Sequence, residues 1–447
     1  MNIELCFDKR DEFNRRPIAE KIIKLLASEV AVSPMVIDGS WGTGKTEFCQ
    51  KLIDLVESSE PKPFMPIYVD AFKADHADQP LMTLLAAVLE KLPEGDTKIT
   101  LKQKAIPLLR FGMKTAGKAA LSWFLKANAD DLAEGMQDEL KSAGNNAIDH
   151  SVEALLDDHI EADKNLQALR IALAKVASEQ PIVLFVDELD RCRPDFAVAL
   201  LEIIKHIFDV EGVKFVLVTN TQQLKAAINH SYGSDVDAQR YLDKFLGFSV
   251  KLPLHYGHVY NMRHASVDHF SSLLKNSLII QQVTKSKIMQ KGVFKAFEEL
   301  ISLKPLSLRE VETLVKHMAV HDLINDGYHR NLIANIFCTY LYCFAPTIAT
   351  KLQQGKVDFS DYARLFGISR LTGERPTSML HLFMYLIAQL SASVDQISDP
   401  IEIEIEQRQL WDQGIESFFS DMFSLSKEEK FSALRESMSQ LMLQEVK

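Results

Sequence analysis

Cysteine is scarce in this sequence: five in 447 residues, Cys6, Cys49, Cys192, Cys338 and Cys343, with no CxxC pair. An odd count without that spacing offers no disulfide framework and fits the reduced thiols of a cytosolic protein. Long apolar runs are missing too. No stretch of about 18 uncharged apolar residues occurs, so no membrane span is expected. The opening MNIELCFDKRDEFNRR has no apolar core like that of a secretory signal, and a cytoplasmic location is the expectation. Positive charge is not in excess: the formal net charge is −11. A broad non-specific nucleic-acid surface normally shows as a basic domain. No internal repeat, low-complexity tract, helix-turn-helix or zinc-finger spacing appears.

What remains is an ordinary globular composition, with 47% hydrophobic and 25% charged residues. The length suits about two or three domains. Four short apolar runs read as buried strands: MVID (35–38), MPIYVDAF (65–72), IVLFVDEL (182–189) and VKFVLVTN (213–220). Segments with helical spacing alternate with them, among them PIAEKIIKLLASEV, TEFCQKLIDLV, LMTLLAAVLEKL and FAVALLEIIKHIF. That alternation predicts an α/β fold with a mostly parallel, doubly wound sheet. Such sheets bind ligands at the carboxyl ends of their strands. Residues 93–163 read as a helical insertion. From about 255 to 447 only helical periodicity is evident, apart from IEIEIE (401–406), which alternates like a short edge strand or forms a solvated helical turn.

The segment DGSWGTGKTEFCQ follows the first strand. Gly39-Ser40-Trp41-Gly42-Thr43-Gly44-Lys45-Thr46 fits GxxxxGK[ST] in full, between a strand and a helix as that motif requires. The glycines let backbone N–H groups converge on phosphate oxygens, and the following helix adds its positive N-terminal end. Lys45 is expected to reach the β- and γ-phosphates, and the Thr46 hydroxyl to bind Mg²⁺. Glu47, next in the chain, is included in the nucleotide-binding set. In IVLFVDE, Asp187 and Glu188 end an apolar strand. Asp187 is expected to hold Mg²⁺, and Glu188 to orient and activate the attacking water. Thr219 and Asn220 end the fourth strand, where either side chain would position water or sense a phosphate. A strand-ending Asn is also common in turns.

GSWGTGKT, VDELDRCRPDFAVALLEIIKHIFDVEGVKFVLVTN and QRYLDKFLGFSVKLP together resemble the KAP family of P-loop NTPases, and DEFNRRPIAEKI and DAFKAD resemble further parts of that pattern. The likeness covers roughly residues 8–255, and weakly 300–320. It implies a P-loop ATPase of the AAA+-like class. Relatives include animal membrane scaffolds and bacterial proteins of plasmids and phage-excluding defence islands. Matched to the family, Lys45, Thr46 and Asp187 keep their roles. Glu188 replaces a second Asp found in many relatives, and Asn220, where relatives often show an acid, resembles an AAA+ sensor. The resemblance also puts Arg15 and Arg16 near the nucleotide base. Many relatives carry transmembrane helices in their insertion, whereas 93–163 contains none.

An arginine beside the γ-phosphate is expected for such chemistry. Arg191, Arg240 and Arg309 are candidates. Arg191 has the alternative of holding Asp190, and Arg240 that of facing a neighbouring subunit. Arg309, opening a helix of the second domain, is preferred, acting in cis. The insertion is polarised in charge. Lys98, Lys102, Lys104, Arg110, Lys114, Lys118 and Lys126 run without an acid, interleaved with Phe111, Met113, Trp123 and Phe124. Acids dominate 130–163. Such a basic segment suits a membrane surface, nucleic acid or a partner, or else pairs with the acidic half. His255, His258, His264 and His269, and the pair His317 and His321, read as structural.

The expected organisation is an NTPase domain over 1–255, a helical lid-like domain over 256–330 and a C-terminal helical domain over 331–447. The expected function is an ATP- and Mg²⁺-dependent switch or assembly ATPase, set in phage defence by the resemblance. A protein partner, an effector or a second copy, would bind through the helical C-terminal region. The alternatives are a nucleotide-stabilised scaffold and a DNA-associated AAA+-like ATPase. A small-molecule kinase ranks below these, because about 190 helical residues follow the core.

Overall fold

The computed structural model describes residues 5–76, 79–105, 152–258, 261–276, 287–324, 332–356, 358–376, 378–391, 401–418 and 426–443. The chain divides into two compact units, Met1–Pro253 and Leu254–Lys447.

The first unit is built on a five-stranded sheet in the order β2-β3-β4-β1-β5. The strands are β1 (Met35–Asp38), β2 (Met65–Asp70), β3 (Ile182–Asp187), β4 (Val213–Thr219) and β5 (Phe248–Lys251). Every pairing is parallel. The alternation along each strand explains the layers, because successive side chains point to opposite faces. Val183, Phe185, Met35, Ile37, Val216 and Val218 enter one core cluster. Leu184, Val186, Val36, Ile67, Phe215 and Leu217 enter the other. Helices Arg16–Leu26 and Lys45–Glu57 pack on the first face, and Pro80–Lys91 and Pro194–His206 on the second. All six residues of β3 are buried, so its run is continuously apolar rather than alternating with polar residues.

The predicted strands are present; β1 has the predicted bounds and the other three end earlier. β2 stops at Asp70, whose carboxylate accepts from the Lys73 N–H and caps the helix Ala71–Asp75. β3 stops at Asp187 because Glu188 turns left-handed, with φ of 60°. β4 stops at Thr219, and Asn220 caps the next helix. Helix Val152–Glu179 runs unbroken through residue 163 and leads into β3, so the expected end of the insertion is not a structural boundary. Most of the basic stretch, from Arg110 to Lys126, lies outside the described residues.

The second unit is mostly helical around one contiguous core that reaches from Phe270 to Leu441. It is not wholly helical, as the sequence suggested. His255–His258 and Asn261–His264 form an antiparallel hairpin, and Leu371–Thr372 pairs with Ile401–Glu402. Both pieces are too short and too polar to show an apolar period. IEIEIE divides between the two readings given to it: its first two residues pair as a strand, and a helix begins at Ile405. Among the described residues no helix is long and apolar enough to cross a membrane.

Candidate nucleotide and hydrolysis site

The site forms where β2, β3, β4 and β1 end side by side. In register, Asp38 stands beside Thr219, and Asp70 beside Asp187. The loop after β1 needs its glycines for stated reasons. A Cβ on Gly39 would lie 2.7 Å from Thr43 Oγ1, so a side chain there would collide with the loop. Gly44 has φ of 80° and opens the helix Lys45–Glu57, a conformation that only glycine adopts at little cost.

Lys45 is buried, and its Nζ donates to the carbonyls of Gly39 at 2.7 Å and Ser40 at 3.2 Å. Burial lowers its pKa, while Asp190, Asp187 and Asp38 act in the opposite sense. The Thr46 hydroxyl is hydrogen-bonded to the Asp187 carboxylate, so the two candidate Mg²⁺ ligands meet although they are far apart in sequence. Asp187 is almost fully buried. Burial raises its pKa against the hydrogen bonds from Thr46, the Glu188 N–H and Tyr68. Tyr68 Oη donates to Asp187 Oδ2 at 3.0 Å. These residues suit a hydrated divalent cation: one carboxylate and one hydroxyl, already together and backed by a further hydrogen-bond donor.

Glu188 is half-buried, and burial raises its pKa; Arg191 opposes that shift while Asp187, Asp70 and Asp190 add to it. Arg191 Nη1 lies 3.0 Å from Glu188 Oε1. Arg191 therefore pairs with Glu188, where the sequence suggested Asp190 as its partner. Asn220 is buried at the end of β4, and its Oδ1 accepts from the Gln222 N–H at 3.1 Å. The cap uses the amide oxygen and leaves the amide nitrogen as the group to offer a phosphate.

The remaining candidates lie as follows. The Glu47 carboxylate is engaged by Arg10 and, at 2.8 Å, by Lys51, so its own N–H is what it offers a ligand. Arg15 is 5% exposed, with Nε and Nη2 buried and without a hydrogen-bond partner. Its guanidinium stands 5.1 Å from the Phe13 ring centroid. Arg16 instead forms ion pairs with Asp8 and Glu20. Arg240 is exposed and lies 3.3 Å from Asp237. Arg309 is exposed in the first turn of the helix Leu308–Ile324 in the second unit. Three histidines of that unit have these local partners: the rings of His255 and His264 stack edge-on at 4.6 Å, and His321 is buried against Ser437 Oγ at 3.1 Å.

Sequence reasoning missed Tyr68, Asp190 and Arg193. Asp190 accepts from Trp41 and Thr219. Arg193 clamps Asp75 through its backbone N–H at 3.1 Å and its Nε at 3.1 Å, and its Nη2 donates to the Asp75 carbonyl at 2.8 Å. The clamp joins the segment VDELDRCRPDF to DAFKAD. The two motifs are visible in the sequence, but only the pairing of β2 with β3 makes them neighbours.

A phosphate loop on an inner strand, with an acidic pair ending the next strand but one in a parallel sheet, defines a P-loop NTPase. The model of the KAP family P-loop domain matches residues 15–320, and the chain belongs to the KAP family. Among solved structures, the Aeropyrum pernix ORC2 protein aligns at 12% identity and a TM-score of 0.37, covering 96% of this chain and 95% of that one. The A. pernix ORC1 protein, solved in complex with DNA, aligns at 13% and 0.34, covering 96% and 92%. C. elegans PCH-2 aligns at 11% and 0.30, covering 75% and 70%. No match was found among the curated proteins.

Proposed function

We propose that the chain binds ATP with Mg²⁺ at the loop 39–46 and hydrolyses it, acting as a molecular switch or assembly ATPase. The observation that carries this reading is the convergence of Lys45, Thr46, Asp187, Glu188 and Asn220 at the carboxyl edge of the adjacent strands β3, β4 and β1. Lys45 would exchange its two carbonyl acceptors for β- and γ-phosphate oxygens. Thr46 and Asp187 would hold Mg²⁺, which supplies charge neutralisation on the phosphates. Glu188, once turned from Arg191, would accept the proton of the attacking water. The Asn220 amide would donate to the γ-phosphate or to that water.

A switch fits better than chemistry on a second substrate because a helical unit with its own core follows the NTPase unit. A cytoplasmic setting in phage defence, with a protein effector or a second copy as partner, is the biological form of this reading and rests on the family likeness. Arg309 is the proposed γ-phosphate arginine. The direct experiment measures Mg²⁺-dependent ATP binding and turnover in wild type and in Lys45→Ala. Loss of both in the variant is expected; equal behaviour of the two proteins would refute the proposal.

The Glu188–Arg191 ion pair favours a second reading, a scaffold that binds nucleotide for stability. Turnover would then stay near background while ATP raises the melting temperature. Ligand at 100 times its Kd adds about 2.7 kcal/mol.

A further inference from the structure

Trp41 and Thr219 meet on one carboxylate. Trp41 Nε1 donates to Asp190 Oδ2 at 2.5 Å, and Thr219 Oγ1 donates to Asp190 Oδ1 at 3.0 Å. Trp41 belongs to the phosphate loop, between Gly39 and Gly44. It is 47% exposed, so burial alone does not fix its indole. A hydrogen bond to a charged acceptor is stronger than one between neutral groups, and here it anchors the loop. Thr219 is fully buried as the last residue of β4 and immediately precedes Asn220. Asp190 sits in the single turn Leu189–Arg191. That turn is built directly on Glu188, whose carbonyl accepts from the Arg191 N–H at 3.0 Å.

One side chain thus touches the loop that would cradle the phosphates and the strand end that would face the γ-phosphate, from within the turn that aims Glu188. Glu188 itself has a left-handed backbone, uncommon for a residue with a side chain. Its direction depends on that turn being held in place. The carboxylate spends each oxygen on a different element, which is what a link between them requires.

We infer that Asp190 is a positioning residue that couples the phosphate loop, through Trp41, to the end of β4, through Thr219. Any movement of the loop on binding nucleotide is then passed to Glu188 and Asn220 together. The inference rests on the MgATP reading above. A fastening with no part in turnover would instead affect stability alone.

The test compares wild type with Trp41→Phe, Thr219→Val and Asp190→Ala. Trp41→Phe removes the indole donor and keeps an aromatic ring. Thr219→Val removes the hydroxyl at nearly constant volume. Three quantities are measured: the Kd for MgATPγS, kcat and KM for ATP, and the melting temperature. Each single variant is expected to lower kcat about tenfold, the scale of one lost hydrogen bond to a charged group, and to change the Kd by less than about threefold. The double variant Trp41→Phe/Asp190→Ala should be no slower than Asp190→Ala alone, and Thr219→Ser should recover wild-type kcat. If Trp41→Phe and Thr219→Val turn over like wild type, or lose only melting temperature, Asp190 is a fastening and the coupling is wrong. A rise in kcat would overturn it as well. Wild type that binds no MgATPγS would remove the nucleotide reading itself, a result distinct from normal binding with unaltered variants.

Discussion

Arg191 holds Glu188: its Nη1 lies 3.0 Å from the carboxylate, and both side chains are partly exposed. The arginine adjacent to the proposed base is therefore engaged with that base. Ion pairs of such partial exposure are worth about 1 kcal/mol or less. Arg191→Gln is therefore expected to raise basal ATP turnover modestly, by no more than about fivefold. A drop of more than tenfold in steady-state turnover would instead place Arg191 on the γ-phosphate, against the preference for Arg309.

Glu188→Gln should separate binding from hydrolysis. Gln keeps the size of the side chain and cannot accept a proton. Turnover is expected to fall by about two to four orders of magnitude, the range for loss of a general base, with ATP binding retained by isothermal titration. Unchanged turnover would remove Glu188 from the base role.

Tyr68 is the residue behind Asp187, the proposed metal ligand. Its hydroxyl donates to Asp187 and holds one of the two carboxylate oxygens. Partners of this kind typically matter by about 10- to 100-fold in metal affinity. Tyr68→Phe should shift the Mg²⁺ dependence of ATPase activity to higher concentration by about tenfold, with kcat at saturating Mg²⁺ nearly kept. A Mg²⁺ curve that superposes on wild type would show that the hydrogen bond is not used.

The Arg193–Asp75 clamp is a stability feature. Asp75 is buried while its partner's side chain is half exposed. Arg193→Ala keeps the backbone N–H on the buried carboxylate but removes its charged partner, at a cost of about 1–3 kcal/mol. Denaturant unfolding should show that loss as a lower midpoint with the same slope. A variant as stable as wild type would mean that Asp75 finds water in place of the arginine.

The second unit carries a pH dependence through His264. Burial, helped by His255, pushes its pKa below the ordinary 6.5, and Asp268 only partly opposes this. The fold therefore favours the neutral ring. That stability is complete above 6.5 and is lost as pH falls through the lowered value, because the unfolded chain binds the proton first. Melting temperature should decline on acidification from pH 6.5, and His264→Asn should flatten that decline. Equal pH slopes for the two proteins would exclude His264 as the source.

Much of the nucleotide site is legible in the sequence because its chemistry is local. Gly39 to Thr46 is one contiguous loop whose spacing needs nothing from elsewhere. The apolar run ending in Asp187 and Glu188 announces a buried strand with acids at its end, since few other environments require five consecutive apolar residues. Four of the five strands of the sheet, their parallel arrangement and the helical character of most of the second half follow from the same local periodicities, whereas the four-residue β5, FSVK, did not show. The hairpin 255–264 did not show, because HYGH and NMRH bury too little to leave an apolar pattern.

Tertiary structure alone decided what these residues touch. Tyr68 and Asp187 are 119 residues apart, and Trp41 and Asp190 are 149 apart. Strand order and register bring them together, and both are set by the summed packing of two sheet faces, which no single segment encodes. The left-handed turn at Glu188, its capture by Arg191 and the double use of Asp190 arise the same way. A side chain's partner is fixed by whichever strand end the fold puts beside it, whereas its chemical type is fixed by the sequence alone.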